Sequence, residues 1–226
     1  MYKRQGHGDY RLIALAPASV QEMADFVGLA FDLAFKYRNP AIILADGVIG
    51  QMMEKVVLPE QRPRLTNEEV MARCPWATFG KLKHRGPNIV TSLELDPAEM
   101  EKRNIHLQQK YAEIEEKEVR YEEIHCDDAE YLIVAFGSCA RIAQKAMEEA
   151  RAEGIKVGLL RPITLWPFPS KAIAERSRQV KGILTVELNA GQMVEDVRLA
   201  VECKVPVEYF GRLGGCLLYT SPSPRD

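Results

Sequence analysis

A chain of 226 residues, 46 % of them apolar, can hold one large domain or two small ones around an ample core. With a formal net charge of −2 and 27 % charged residues, it offers no electrostatic grip for nucleic acid or an anionic membrane surface. No apolar run approaches the ~18–20 residues of a membrane helix, and MYKRQGHG lacks the apolar centre of a secretory signal.

Cys74, Cys126, Cys139, Cys203 and Cys216 include no CxxC pair and no spacing suited to zinc or an iron–sulfur cluster. Reduced thiols in a cytoplasmic protein are expected.

Residues 11–17 (RLIALAP) form the first strand candidate, ending at Pro17. Ser19-Val20-Gln21-Glu22 then has the pattern of a capping box, in which Ser19 caps the Glu22 amide and Glu22 reaches back. The helix it starts should run to about Tyr37. Its apolar residues lie on more than one face: Met23, Val27 and Ala34 on one, Phe26, Leu29 and Leu33 on another. Such a helix is expected to be sandwiched between a sheet and another subunit or domain.

Asn39-Pro40 breaks the helix, and Ala41 to Ala45 supplies a second buried strand, completing a βαβ unit. Two strands do not make a stable open sheet, so residues 6–58 are expected to be the carboxyl-terminal part of a larger domain. Residues 1–5 and 217–226 are polar and unrelated to the flanking periodicity; they are expected to be non-native ends of an incomplete reading frame.

Pro59, Pro63, Pro75, Pro87 and Pro97 punctuate a stretch without strand alternation, so residues 59–128 predict a connecting excursion. Within it, a long helix is expected at about 97–123, started by Asp96 or Pro97. Met100, Leu107, Ile114 and Tyr121, with Tyr111, would form a narrow stripe on it, facing either a subunit or the chain's own domain.

The most regular pattern follows. Leu132 to Phe136 is an apolar run short enough for a strand buried on both faces. After Gly137, Ser138 is a candidate N-cap. Ile142, Ala143, Ala146, Met147 and Ala150 give a one-sided helix, Gly154 ends it, and Val157 to Leu160 is the next strand. This predicts a right-handed βαβ unit in a parallel sheet. Ile183 to Leu188 is a third strand, Met193, Val197, Ala200 and Val201 stripe a helix, and Val205 to Phe210 is a fourth strand placed at an edge by Pro206. Residues 129–215 therefore predict a small doubly wound α/β domain.

In such sheets ligands bind beyond the carboxyl ends of strands. The residues there are Pro17-Ala18-Ser19, Asp46-Gly47, Gly137-Ser138, Arg161-Pro162, Asn189-Ala190-Gly191 and Gly211-Arg212. None amounts to a strong motif. Gly137-Ser138 lacks the further glycines of GxGxxG. Asp46-Gly47 resembles the start of a thiamine-diphosphate GDG motif, but Ala45 replaces its first glycine and no Asn-Asn follows, so a loop and helix-start role is expected for Asp46. His84, His106 and His125 stand apart, which argues against a metal site, and no Ser/His/Asp or Cys/His arrangement is visible.

The segments HGDYRLIALAPASVQEMADFVGLAFDLAFKYRNPAIILADGVIGQMME and VAFGSCARIAQKAMEEARAEGIKVGLLRPITLWPFP, with GRLGG near the end, resemble the alpha (pyrimidine-domain) subunit of 2-oxoacid:ferredoxin oxidoreductases. SLELDPAEMEKRNIHLQQKYAEIEEKEVRYEE and ELNAGQMVEDVRLAVECKVPVEYFGR resemble the branched-chain, 3-methyl-2-oxobutanoate type; the 2-oxoglutarate type tends to carry a TGLEHDE-like segment where this chain reads Ser92 to Asp96. The resemblance spans about Gly6 to Gly215.

The resemblance implies a truncated thiamine-pyrimidine-type domain followed by a transketolase-C-terminal-like α/β domain with a parallel or mixed sheet. It also implies oxidative decarboxylation of a branched-chain 2-oxoacid on thiamine diphosphate, with electrons passing through 4Fe-4S clusters to ferredoxin and the acyl group to coenzyme A. The diphosphate and Mg²⁺ would be held mainly by a beta subunit, with the clusters in partner subunits of gamma and delta type. No catalytic residue carries over. His7, Gly8 and Asp9 match an HGD or HGE segment that would face the thiamine cleft. The 2-oxoglutarate and pyruvate members of the same family, and a non-catalytic assembly module, are the alternatives.

Overall fold

The first apolar run becomes β1 (Ile13–Leu15), whose three residues are fully buried. The computed structural model describes residues 9–78, 80, 83 and 86–214. His7, Gly8, His84, Cys216 and the ends 1–5 and 217–226 lie outside the described residues. Two units are distinguished, one holding the residues up to Val57 together with those from Lys110 on, the other Leu58–Gln109.

In the first unit, α1 (Val20–Tyr37) follows β1, with the Ser19 hydroxyl accepting from the Glu22 amide at 3.1 Å as the capping pattern requires. Glu22 reaches back to the Ala18 amide (2.8 Å), one residue earlier than the box predicts. The helix ends at Arg38 in the left-handed region, and β2 (Ala41–Ile43) pairs in parallel with β1. A five-residue helix, α2 (Gly47–Gln51), comes next.

In the second unit, α3 (Asn67–Arg73) has a complete capping box between Thr66 and Glu69. Asn88 donates to the carbonyls of Pro75 and Ala77, and Arg103 pairs with Glu94 at 3.0 Å.

Helix α4 (Pro97–Lys117) starts where expected: Asp96 Oδ1 accepts from the amides of Ala98 and Glu99. It stops six residues before the predicted end. Tyr121 to Glu123 are not helical but belong to strand β3 (Tyr121–Ile124), which has no apolar run to betray it because it is a sheet edge with exposed residues. Of the predicted stripe, Tyr111 and Ile114 are buried while Met100 is exposed. The Tyr111 ring meets Trp166 edge-on, 5.7 Å between centroids.

The remaining elements are β4 (Tyr131–Ala135), α5 (Gly137–Ala152), β5 (Val157–Pro162), β6 (Thr164–Trp166), α6 (Ser170–Arg176), β7 (Gly182–Glu187), α7 (Met193–Val201) and β8 (Val207–Gly211). The five-stranded sheet runs β3-β5-β4-β7-β8, parallel except for β3, with β8 at one edge. Helix α5 covers one face, burying Cys139, Ala140, Ala143 and Met147 against Ile133, Ala135, Val157 and Leu159. Ile142 and Ala146, predicted for the buried face, point outward, so the stripe is rotated by one position. Helices α6 and α7 cover the other face through Ala172, Ile173, Met193, Val197 and Val201. The sheet is doubly wound.

Strand β6 leaves this sheet and pairs antiparallel with β1, giving a second sheet of order β2-β1-β6. The third strand of the amino-terminal sheet thus comes from the carboxyl-terminal half. Ala14 and Ala16 sit in the same core as Leu132, Leu160, Leu165 and Phe168, so both sheets share one interior.

Candidate functional site

The carboxyl ends of the two sheets meet at Asp46. Its Oδ1 accepts from the amides of Val48 (2.9 Å) and Ile49 (3.0 Å), starting α2, as expected of it. Its Oδ2 accepts from the Ser138 amide (3.2 Å) and from the Ser138 hydroxyl, at the start of α5. Ser138 is therefore not the N-cap. The chain enters α5 through Phe136, and the capping charge arrives from 92 residues away. Gly137 makes the turn with φ +59, which a side chain would strain. Burial pushes the Asp46 carboxyl up, but the Ser138 hydroxyl and the amides of Ile49, Ser138 and Val48 outweigh it and hold the group below its ordinary value.

The other helix starts at these strand ends are filled in the same way. Glu187, 1 % exposed at the end of β7, accepts from the amides of Met193 (2.8 Å) and Val194 (2.9 Å), and from Gln192 and the Asn189 side chain. At α1, Glu54 accepts from the Val20 amide (3.1 Å) and pairs with Arg141 at 2.7 Å. Arg161, buried at the end of β5, grips Glu22 with two nitrogens (2.7 and 2.8 Å) and Glu122 with the third (2.8 Å). Burial opposes the Glu22 charge, yet the bonds from Arg161 and the Ala18 amide bring its carboxyl below the ordinary value. Anions favour helix N-termini because amides and dipole converge there. Here the chain's own carboxylates take those positions.

Between the strand ends lies a cleft of about 160 Å³, lined by Leu44, Ala45, Asp46, Phe136, Gly137, Cys139, Leu188 and Asn189. It falls at the switch point of the doubly wound sheet, where β4 leads to one face and β7 to the other. Burial and the charges of Asp46 and Glu187 push the Cys139 thiol up to about 11, which leaves it protonated at neutral pH and a poor nucleophile. A hollow of about 570 Å³ lies beside Arg11, Trp166 and Phe168, on the amino side of β1; Glu115, Glu116, Lys171 and Glu175 on its rim are exposed and of mixed sign.

Of the residues predicted from sequence, Asp46, Gly137, Ser138 and Asn189 are brought together. Pro17 joins them through its carbonyl, 3.8 Å from where a Gly137 side chain would begin. Arg161 is engaged with α1 instead, and Gly211 packs under the Tyr209 ring, whose hydroxyl donates to the Asn189 carbonyl. Asp9 is exposed; His7 and Gly8 are outside the described residues. Glu187 and Glu54 were missed, as was the pairing of Glu22, expected only to cap its own helix, with Arg161. The signal for Glu187 was a lone carboxylate inside the apolar run ILTVEL.

Among the described residues no group of three or more His, Cys, Asp or Glu could hold a metal ion. With the helix starts already filled by carboxylates, these described residues do not fit Mg²⁺-bound diphosphate or an iron–sulfur cluster.

The profile of the family described as pyruvate flavodoxin/ferredoxin oxidoreductase, thiamine diphosphate-binding, matches residues 1–124, and that of pyruvate:ferredoxin oxidoreductase core domain II matches residues 129–221. Ketoisovalerate oxidoreductase subunit VorB of Methanothermobacter marburgensis is 50 % identical, over 96 % of this chain and 60 % of its own length. The 2-oxoglutarate synthase subunit KorA of the same organism is 32 % identical, over 92 % of this chain and 61 % of its own length. The chain thus spans about 60 % of the length of these curated relatives. Among solved structures, the 2-oxoglutarate:ferredoxin oxidoreductase of Magnetococcus marinus superposes with a TM-score of 0.70 at 22 % identity, covering 93 % of this chain and 40 % of that one, a likeness of fold.

Proposed function

The chain belongs to the 2-oxoacid:ferredoxin oxidoreductase family, that of the pyruvate flavodoxin/ferredoxin oxidoreductases, and from that premise we propose that it serves as the alpha subunit of an enzyme acting on branched-chain 2-oxoacids. The reaction would decarboxylate the 2-oxoacid, reduce ferredoxin and deliver the acyl group to coenzyme A. The observation that carries the substrate class is the gap in identity, 50 % to the ketoisovalerate relative against 32 % to the 2-oxoglutarate relative.

The chain's own share would be structural. Thiamine diphosphate and Mg²⁺ would be held mainly by a beta subunit, 4Fe-4S clusters by gamma- and delta-type partners, and the chain would supply one wall of the cleft, with His7, Gly8 and Asp9 towards the cofactor. Two features support this. The helix starts at the strand ends are filled by Asp46, Glu54 and Glu187, which leaves a diphosphate no amide seat there. Helix α1 also keeps Val27, Phe31 and Phe35 exposed, a surface suited to a neighbouring subunit. A cytoplasmic location goes with this reading; no helix of the described residues is long and apolar enough to cross a membrane.

The test is reconstitution of the subunit with its partners and assay of ferredoxin reduction across 2-oxoacids. Preference for 3-methyl-2-oxobutanoate is expected. Preference for 2-oxoglutarate or pyruvate would move the chain to another branch of the family, and failure to associate with a thiamine-binding subunit would favour a non-catalytic assembly module.

A further inference from the structure

The doubly wound sheet ends on an open strand. Among the described residues β8 pairs with β7 alone. Its side chains alternate: Glu208, Phe210 and Arg212 are exposed, while Val207, Tyr209 and Gly211 are half-buried. The backbone alternates too. The Pro206 carbonyl accepts from the Ile183 amide (2.9 Å), and the Arg212 amide donates to the Glu187 carbonyl (3.2 Å). Even-numbered residues therefore carry the ladder to β7, and the amides and carbonyls of Tyr209 and Gly211 point to the open edge. The Val207 carbonyl, on that same side, already accepts from Arg198.

Such an edge is a template for another strand, and its exposed row, Glu208, Phe210 and Arg212, shows which strand fits. A copy of β8 laid antiparallel about a two-fold axis at Phe210 sets Glu208 of each chain opposite Arg212 of the other. The two Phe210 rings then face each other. In that register Tyr209 lies opposite Gly211, so the outward backbone groups meet as a hydrogen-bonded pair, and Phe210 falls in the closer, non-bonded pair. Opposite charges and aromatic rings directly across a ladder stabilise it, and like charges there do the reverse. Glu208 and Arg212 enter no ion pair among the described residues, and Phe210 is 53 % exposed. Moving the axis by one residue in either direction breaks both charge pairs.

We infer that β8 is a docking edge for a second copy of this chain, the two joining antiparallel and continuing the sheet across the two-fold axis. Charged residues commonly guard an edge by repelling a neighbour. Here the two-fold register turns the same charges into attraction, because each end of the exposed row carries the opposite sign. A strand edge is a small interface, so the pair is expected to form at micromolar concentration.

The test is sedimentation velocity of the 226-residue chain, which should show a concentration-dependent dimer. Glu208→Arg and Arg212→Glu, each alone, set like charges opposite each other and should raise the dissociation constant about 10-fold. The two changes together restore the pairs and should return it to near the wild-type value. Phe210→Cys places two thiols at the axis, on Cα atoms about 4.5 Å apart, within disulfide reach. Mild oxidation should then link the dimer well above the background of the wild-type chain with its exposed Cys203. All three positions are exposed, so the fold of each variant should be unaffected. A wild-type chain that stays monomeric, a dimer indifferent to the single reversals, a double variant no tighter than the singles, or cross-linking no greater than background overturns the edge-to-edge dimer.

Discussion

Helices α1 and α5 each join two parallel strands, yet only one of them is finished by its own chain. On α5 the inner stripe of Cys139, Ala140, Ala143 and Met147 is buried, and Arg141, Gln144, Lys145, Glu148 and Glu149 face outward, with Ile142 and Ala146 the apolar residues among them. On α1 the inner residues Phe26, Leu33 and Tyr37 are buried, but Val27, Phe31 and Phe35 on the opposite side are 48, 61 and 55 % exposed. The strands that flank the helices differ as well: β4 and β5 around α5 are each paired on both sides, whereas β2 after α1 pairs with β1 alone among the described residues. A helix apolar on both faces, beside an open sheet edge, has surface to offer a neighbour. Both faces of the carboxyl-terminal sheet are thus covered by the chain's own helices, while the amino-terminal sheet borrows β6 and still leaves the outer face of α1 uncovered.

The largest expected effect tests the closed region. Leu160 is fully buried in β5, so Leu160→Ala should cost ~2–5 kcal/mol, read from urea unfolding; a loss under about half a kcal/mol would mean a surface-like site. Gly158→Ala belongs in the same class, because its new methyl would stand 2.9 Å from the His125 carbonyl.

The junction between the two regions comes next. Arg161→Ala strands Glu22 without its bidentate partner; breaking a buried pair costs about 3–5 kcal/mol, and partial exposure of Glu22 brings the expected loss to about 2–3 kcal/mol. Unchanged stability would remove this pair from the junction.

Acid should loosen the same junction. Glu118, buried, accepts from Lys36, Tyr37 and Arg120. Burial would raise its carboxyl, but those bonds lower it from 4.5 to about 2. A carboxyl lower in the folded state stabilises fully above its unfolded value and loses that stabilisation as pH falls from about 4.5 towards 2. Glu118→Gln should flatten the acid limb of a stability–pH profile; an unaltered limb would assign the loss to other carboxylates.

Smaller still, Thr185 has a buried hydroxyl without a hydrogen-bond partner among the described residues, so Thr185→Val should leave stability unchanged or raise it by about 1 kcal/mol. Phe31→Ser should change the stability of the chain alone by less than about 0.5 kcal/mol, since the side chain is exposed. If α1 meets a partner there, the same change should weaken co-purification of the partner.

Much of the fold was legible because periodicity reports burial. The runs Leu132 to Phe136, Val157 to Leu160 and Ile183 to Leu188 became β4, β5 and β7, and the spacing of Met193, Val197 and Val201 became the inner face of α7. Strands β3 and β6 were not legible. Tyr121–Ile124 is an exposed edge without apolar alternation, and Thr164–Trp166 is three residues whose partner lies about 150 positions earlier. The helix starts at the strand ends were half legible. Asp46 was recognised as starting α2, but its second oxygen on Ser138, and Glu187 beneath α7, depend on tertiary contacts that no local pattern encodes.

The most direct measurement titrates thiamine diphosphate with Mg²⁺ into the chain by calorimetry, alone and then with a thiamine-binding partner subunit. A cleft completed by the partner predicts no micromolar binding to the chain alone and binding once the partner is present. Micromolar binding to the chain alone would contradict it.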